Sequence, residues 1–247
     1  MILFLTSDPV DRPGTVPRDT PCPLKKDNGF AGQMKAVLPE QVRILFIEAA
    51  PDEYARNDGY ADYMREAFRI SGIFVAALDV CDHRKIDYDL NAYNLIILGG
   101  GHVPTQNAFF RELHLAEKLQ AFDGVVMGIS AGTMNCASTV YAQPELEGEA
   151  ADPDYRRFIP GLGLTEINVL PHWQMIRHEK VDGLDLETDI TLPDSMGRIF
   201  HCIADGSFIF VKDGISTLYG QGWRVQDGVI EEICRPCQWV ILSESKY

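Results

Sequence analysis

The stretch Val125–Asn135, VVMGISAGTMN, limits what this chain can fold into more than any other. Apolar, largely β-branched residues run into Gly128-Ile-Ser-Ala-Gly132, and small, helix-compatible residues follow. The order predicts a strand, a sharp turn with Ser130 at its apex, and a helix. A serine held at such a turn has neighbours on both flanks, so side chains at Gly128 and Gly132 would collide with them. The N–H groups that open the helix point where an oxyanion would develop. A plain buried turn needs small residues too, so this pattern alone leaves nucleophile and packing turn both open.

The segments before the elbow alternate between strand and helix patterns. Ile2–Thr6, Arg43–Glu48, Ile73–Asp79 and Leu95–Leu98 are apolar runs, as strands covered on both faces should be. Gly29–Val37, Asn57–Ser71 and Thr105–Phe122 carry apolar residues at helical spacing. That alternation predicts an α/β fold with a doubly wound, mostly parallel sheet and helices on both faces. Between the first strand and helix, residues 9–28 hold five prolines and read as a long exposed loop. After the elbow, Ile167–Leu170 ends in Pro171-His172-Trp173. Short β runs at Ile199–Ala204, Phe208–Lys212, Ile215–Tyr219, Trp223–Val225 and Val229–Ile233 then alternate with Asp-Gly turns at 205–206, 213–214 and 227–228. They predict an antiparallel C-terminal extension of the same sheet, making residues 1–247 a single domain.

Composition excludes several classes of partner. With 46% apolar residues the chain has enough material for a large core, and a net charge of −14 repels nucleic acid and anionic membranes. The cysteines at 22, 81, 136, 202, 234 and 237 show no metal-ligand grouping beyond a lone Cys234-Arg-Pro-Cys237, and they are expected as reduced thiols of a cytoplasmic protein. Met1–Leu5 is too short for a signal segment, and no apolar run approaches a membrane span.

A serine nucleophile needs a base, a group that orients the base, and oxyanion donors. Of six histidines, His172 is best placed, directly after a strand end beside a stiffening proline and an aromatic. His83, His114 and His178 lie in polar surroundings, His201 lies within a strand, and His102 follows Gly99-Gly-Gly101 and lines the site. Asp205, at another strand end, reads on the residues alone more readily as an ordinary hairpin Asp-Gly turn than as an orienting acid, with Glu166 and Asp189 as alternatives for the acid. Ala131 N–H and a donor from Gly100 or Gly101 would form the oxyanion hole.

The ordered set LGGGHVPTQNAFF, GISAGTMN, LPHW and ADGSF resembles the peptidase E family of serine peptidases, which includes aspartyl dipeptidases and cyanophycinases. The resemblance spans about Arg43 to Gly220 and implies a flavodoxin-like fold related to class I glutamine amidotransferases. It implies a triad of Ser130, His172 and Asp205, in an order unlike the Ser-acid-His of α/β-hydrolases. It also implies a substrate site holding His102, Gln106, Asn135, Trp173 and Arg177, and hydrolysis of an amide in a short peptide, with no metal or organic cofactor. The enzyme is expected to work as a monomer or homodimer. His102 stands where the family commonly shows GGN or GGDQ. The other readings are a non-catalytic amidotransferase-like binding module, and an esterase or acyltransferase.

Overall fold

The computed structural model describes residues 1–244. Five parallel strands form its centre: β1 (Ile2–Thr6), β2 (Gln41–Ile47), β3 (Phe74–Cys81), β4 (Leu95–Leu98) and β5 (Val125–Ile129), in the order β1-β5-β4-β2-β3. Every residue of β4 and β5 is buried, which is why both read as unbroken apolar runs. Successive residues of β4 go to opposite cores. Leu95 and Ile97 join Phe30, Met34, Met64 and Phe68 from α1 (Phe30–Val37) and α2 (Tyr54–Ile70). Ile96 and Leu98 join Phe109, Phe110 and Leu119 from α3 (Val103–Glu112) and α4 (Leu115–Gln120). Each such side chain stabilises the fold by about 1.5–3 kcal/mol relative to exposure. The sheet is therefore doubly wound, with a helical layer on each face.

The expected helix over Thr105–Phe122 is two helices, because His114 adopts a left-handed φ of 49° between α3 and α4. The cause is written in the apolar stripe, which steps by only two residues from Leu113 to Leu115. A continuous helix would turn those two to opposite faces, whereas the break returns both to one core.

The C-terminal third supplies the expected antiparallel extension with only some of its strands. Phe208–Lys212 pairs antiparallel with β1, and Ile215–Tyr219 and Trp239–Glu244 continue outward to complete eight strands. Asn168–Leu170, Ile199–Ile203, Gly222–Gln226 and Val229–Cys234 instead build a separate four-stranded sheet. The chain passes from one sheet to the other through Gly220, at φ 90°, and Gly222, where a Cβ would stand 2.6 Å from Leu218 Cδ2. The Asp213-Gly214 and Asp227-Gly228 turns do have the paired positive φ values of tight hairpins.

The 9–28 segment is exposed around its tip and at Lys26 and Asp27, and its two arms are partly buried. Val10, Cys22 and Leu24 are buried, Val10 bridges to Leu24, and Asn28 Nδ2 donates to Gly206 O at 2.6 Å. That last bond moors the segment beside Asp205.

Candidate active site

β5 delivers Ser130 to the carboxyl edge of the sheet, where φ 52° and ψ −113° mark a backbone conformation that a non-glycine residue rarely adopts. Three contacts with the last residue of β1 hold it there. Thr6 O accepts from Ser130 N–H at 3.0 Å and from Thr133 Oγ1 at 2.7 Å, while Thr6 Oγ1 donates to Gly128 O at 2.7 Å. The flanking glycines are sterically required. A Cβ on Gly128 would stand 2.6 Å from the Thr133 backbone, and one on Gly132 would stand 2.1 Å from Leu98 O.

His172 follows the short strand Asn168–Leu170 and caps α6 (Trp173–Ile176) at a left-handed φ of 56°. Its Nε2 lies 2.9 Å from Ser130 Oγ and its Nδ1 lies 2.5 Å from Asp205 Oδ1. A carboxylate only accepts, so the proton sits on Nδ1 and leaves Nε2 to receive the serine O–H. Asp205 follows the strand Ile199–Ile203, and its N–H donates to Gln174 Oε1 at 3.1 Å. Burial would raise the Asp205 pKa, but the hydrogen bond and charge of His172, with donors from Ser7 and Gln174, outweigh it and hold the carboxyl below its ordinary value. The other two acids are engaged elsewhere: Glu166 Oε1 accepts from Ser138 Oγ and Asp189 Oδ2 from Asp185 N–H.

The model of Peptidase family S51 matches residues 26–218. The chain belongs to peptidase family S51. Two solved structures share the fold of this S51 chain. A peptidase from an acI-B1 Actinobacterium is 15% identical, with a TM-score of 0.63 over 98% of this chain and 96% of its own. A putative peptidase E protein from Listeria monocytogenes EGD-e is 15% identical, with a TM-score of 0.56 over 94% of this chain and 98% of its own. No curated protein matches. The family makes this chain a serine peptidase of the peptidase E kind.

In this S51 chain the glycine loop lies against the elbow, since a Cβ on Gly100 would stand 3.4 Å from Ser130 Cβ. Gly101 lies against the turn after β2, with Ala49 Cβ 2.6 Å from where its own Cβ would be. Ala131, whose N–H follows the serine, opens α5 (Ala131–Asn135) and is buried. His102 caps α3 and lies 2.8 Å from Thr105 Oγ1 and 2.7 Å from Glu149 Oε1.

Three of the residues expected to contact substrate are buried. Gln106 Nε2 donates to Gly99 O at 2.7 Å, and Asn135 Nδ2 donates to Gln106 Oε1 at 3.0 Å and to Val103 O at 3.2 Å. Asn107 completes the network through Asn135 Oδ1 and Pro160 O. These amides satisfy one another beneath the glycine loop and set its height. Trp173 is fully buried in the core with Leu170 and Phe200. Arg177 stacks over Trp173 at 5.7 Å, and its Nε lies 2.6 Å from Glu187 Oε2, so that its charge is already countered.

Ser7, Gln174 and Glu149 were not legible as site residues. Ser7 Oγ donates to Asp205 Oδ1 at 2.6 Å and accepts from His172 N–H at 2.8 Å. The one signal was position, since Ser7 follows a parallel strand as Ser130 does. Among the described residues, no group of three or more His, Cys, Asp or Glu is arranged to hold a metal ion, and no helix is long and apolar enough to cross a membrane.

Proposed function

We propose that Ser130, His172 and Asp205 form the catalytic triad of a peptidase that hydrolyses an amide bond in short peptides, with Asp-containing dipeptides among the candidates. The observation that carries this reading is the unbroken chain from Ser130 Oγ through both ring nitrogens of His172 to Asp205 Oδ1.

In this reading His172 Nε2 takes the Ser130 proton as the hydroxyl attacks the carbonyl carbon. Asp205 holds the tautomer and stabilises the imidazolium that forms. The tetrahedral oxyanion is received by Ala131 N–H together with Gly100 or Gly101 N–H, each such donor being worth about 10²–10³ in rate. His172 then gives its proton to the leaving amine, the C–N bond breaks, and an ester to Ser130 remains. Water, deprotonated by His172, attacks that ester and releases the acid and free serine. These steps draw on no metal or organic cofactor.

The test is labelling with a fluorophosphonate, whose phosphorus is attacked by the serine hydroxyl with loss of fluoride, paired with a panel of dipeptides and isopeptides. Wild-type protein should label at Ser130 and turn over at least one amide, while Ser130→Ala should do neither. Turnover by Ser130→Ala within about tenfold of wild type would remove the assignment, because loss of a triad nucleophile costs on the order of a million-fold.

A further inference from the structure

A serine hydroxyl has one proton to give and can accept from others. Ser7, fully buried at the end of β1, has three polar neighbours in the site. The N–H of His172 lies 2.8 Å from Ser7 Oγ and can only donate to it. Asp205 Oδ1, at 2.6 Å, can only accept, so the hydroxyl proton is committed there. His172 Nδ1 lies 3.2 Å away, its own proton drawn to the same Oδ1.

One atom therefore ties together both partners of the serine. It fixes the backbone of His172, which sits at an unfavourable φ of 56°. It also gives Oδ1 of Asp205 a second donor, so that this oxygen and not Oδ2 faces the imidazole. Further contacts hold Ser7 in turn: its N–H lies 3.4 Å from Ser207 O, and Gly206 N–H donates to Asp8 O at 2.9 Å. The end of β1 and the Asp205 turn are thus laced together on both sides of the carboxylate.

We infer that Ser7 is a positioning residue of the proposed reaction, acting through Asp205 Oδ1 and the His172 backbone to hold the imidazole in line with Ser130. This role rests on the catalytic reading above. It predicts that most of the Ser7 effect is lost with the Asp205 carboxylate and only the smaller share carried by the neutral His172 N–H bond remains, whereas a purely structural hydroxyl would keep its whole effect.

The experiment measures the rate of fluorophosphonate labelling for wild type, Ser7→Ala, Asp205→Asn and the double variant. It also follows the His172 Nδ1–H proton resonance, which lies far downfield when shared with a carboxylate. Ser7→Ala should slow labelling about 10- to 100-fold, the scale of one hydrogen bond to a charged group. It should also shift the resonance. In the Asp205→Asn background the same change should slow labelling by less than about threefold. Equal slowing in both backgrounds, or labelling within about twofold of wild type with the resonance unmoved, would overturn the role. Ser7→Cys, which keeps the shape with a weaker donor, carries the same comparison if the alanine variant does not fold. A wild type that is never labelled would remove the catalytic reading itself, and Ser7's role with it.

Discussion

His102 Nε2 lies 2.7 Å from Glu149 Oε1, so the residue that ends the glycine loop is clasped by a carboxylate 47 positions later in the chain. Glu149 also accepts the N–H groups of Glu145 and Leu146 through Oε2. Burial works to raise its pKa, but those donors and His102 prevail and keep it below the ordinary value. Asp182 grips the other side of this acidic segment through the N–H groups of Gly148, Ala150 and Ala151.

Glu149→Ala should therefore loosen the segment over the site without touching the reacting groups. KM for a peptide substrate should rise about tenfold with kcat within about threefold, the pattern of lost uniform binding. His102→Ala should do the same more weakly. Steady-state kinetics decide this, and a kcat loss matching that of His172→Ala would place His102 in the chemistry instead.

Asp205→Asn should keep the turn, since asparagine suits it, while favouring the wrong imidazole tautomer. A drop in kcat of about ten-thousand-fold is the expected result. The carboxyl's pKa lies below its ordinary 3.8, so it stabilises the folded state above that pH and the contribution fades as pH falls. Acid unfolding of the variant below about pH 4 should therefore be shallower than that of wild type. Activity within tenfold of wild type would leave Asp205 the role of a turn residue between the two sheets.

The parts of this molecule legible in its sequence are those governed by local chemistry. Strands β1, β4 and β5 announce themselves because burial on both faces leaves them without polar side chains except Thr6, the last residue of β1. The elbow does so because only glycine fits at Gly128 and Gly132. What stayed hidden depends on contacts between distant residues. Ser7 reaches His172 across 165 positions and Asp205 across 198, and a serine after a strand is otherwise an ordinary turn residue. Gln106 and Asn135 read as site residues because they are polar and near the motifs, yet each is satisfied by the other in the interior. Asp-Gly turns mark where the chain reverses, but Asp205-Gly206 joins strands of two different sheets while Asp213-Gly214 and Asp227-Gly228 close true hairpins, so the second sheet was invisible.

Glu48, at the end of β2, is 3% exposed, and its Oε1 has no hydrogen-bond partner among the described residues. Burial pushes its pKa from 4.5 to about 9, with the charge of Arg56 opposing and that of Asp82 adding. The folded protein thus keeps a proton that the unfolded chain releases above its ordinary value, and stability falls as pH rises from about 4.5 to about 9. One proton corresponds to about 1.4 kcal/mol per pH unit. Glu48→Gln, which stays neutral throughout, should flatten that slope and gain stability over wild type at pH 8 but not at pH 4. Urea unfolding at the two pH values measures it, and parallel curves for the two proteins would mean that Glu48 is ionised in the fold.

Gly132 tests the elbow from the packing side. A Cβ there would stand 2.1 Å from the carbonyl oxygen of Leu98 and 2.6 Å from its carbon. Both belong to β4, a strand buried throughout and locked between β5 and β2, so the backbone has nowhere to move. Relief must come from α5, which would carry Ser130 away from His172. Gly132→Ala should consequently lose stability by about 3 kcal/mol or more, at the upper end for single substitutions, and lose fluorophosphonate labelling with it. Gly32, in α1, provides the contrast, because nothing lies within 4 Å of its would-be Cβ and its φ is not positive. Gly32→Ala should add about 0.5–1 kcal/mol by favouring the helix and leave labelling unchanged. Thermal melts and labelling of the two variants side by side settle the matter. A Gly132→Ala protein that melts with wild type and still labels would show that small residues at the elbow serve neither packing nor the placement of Ser130.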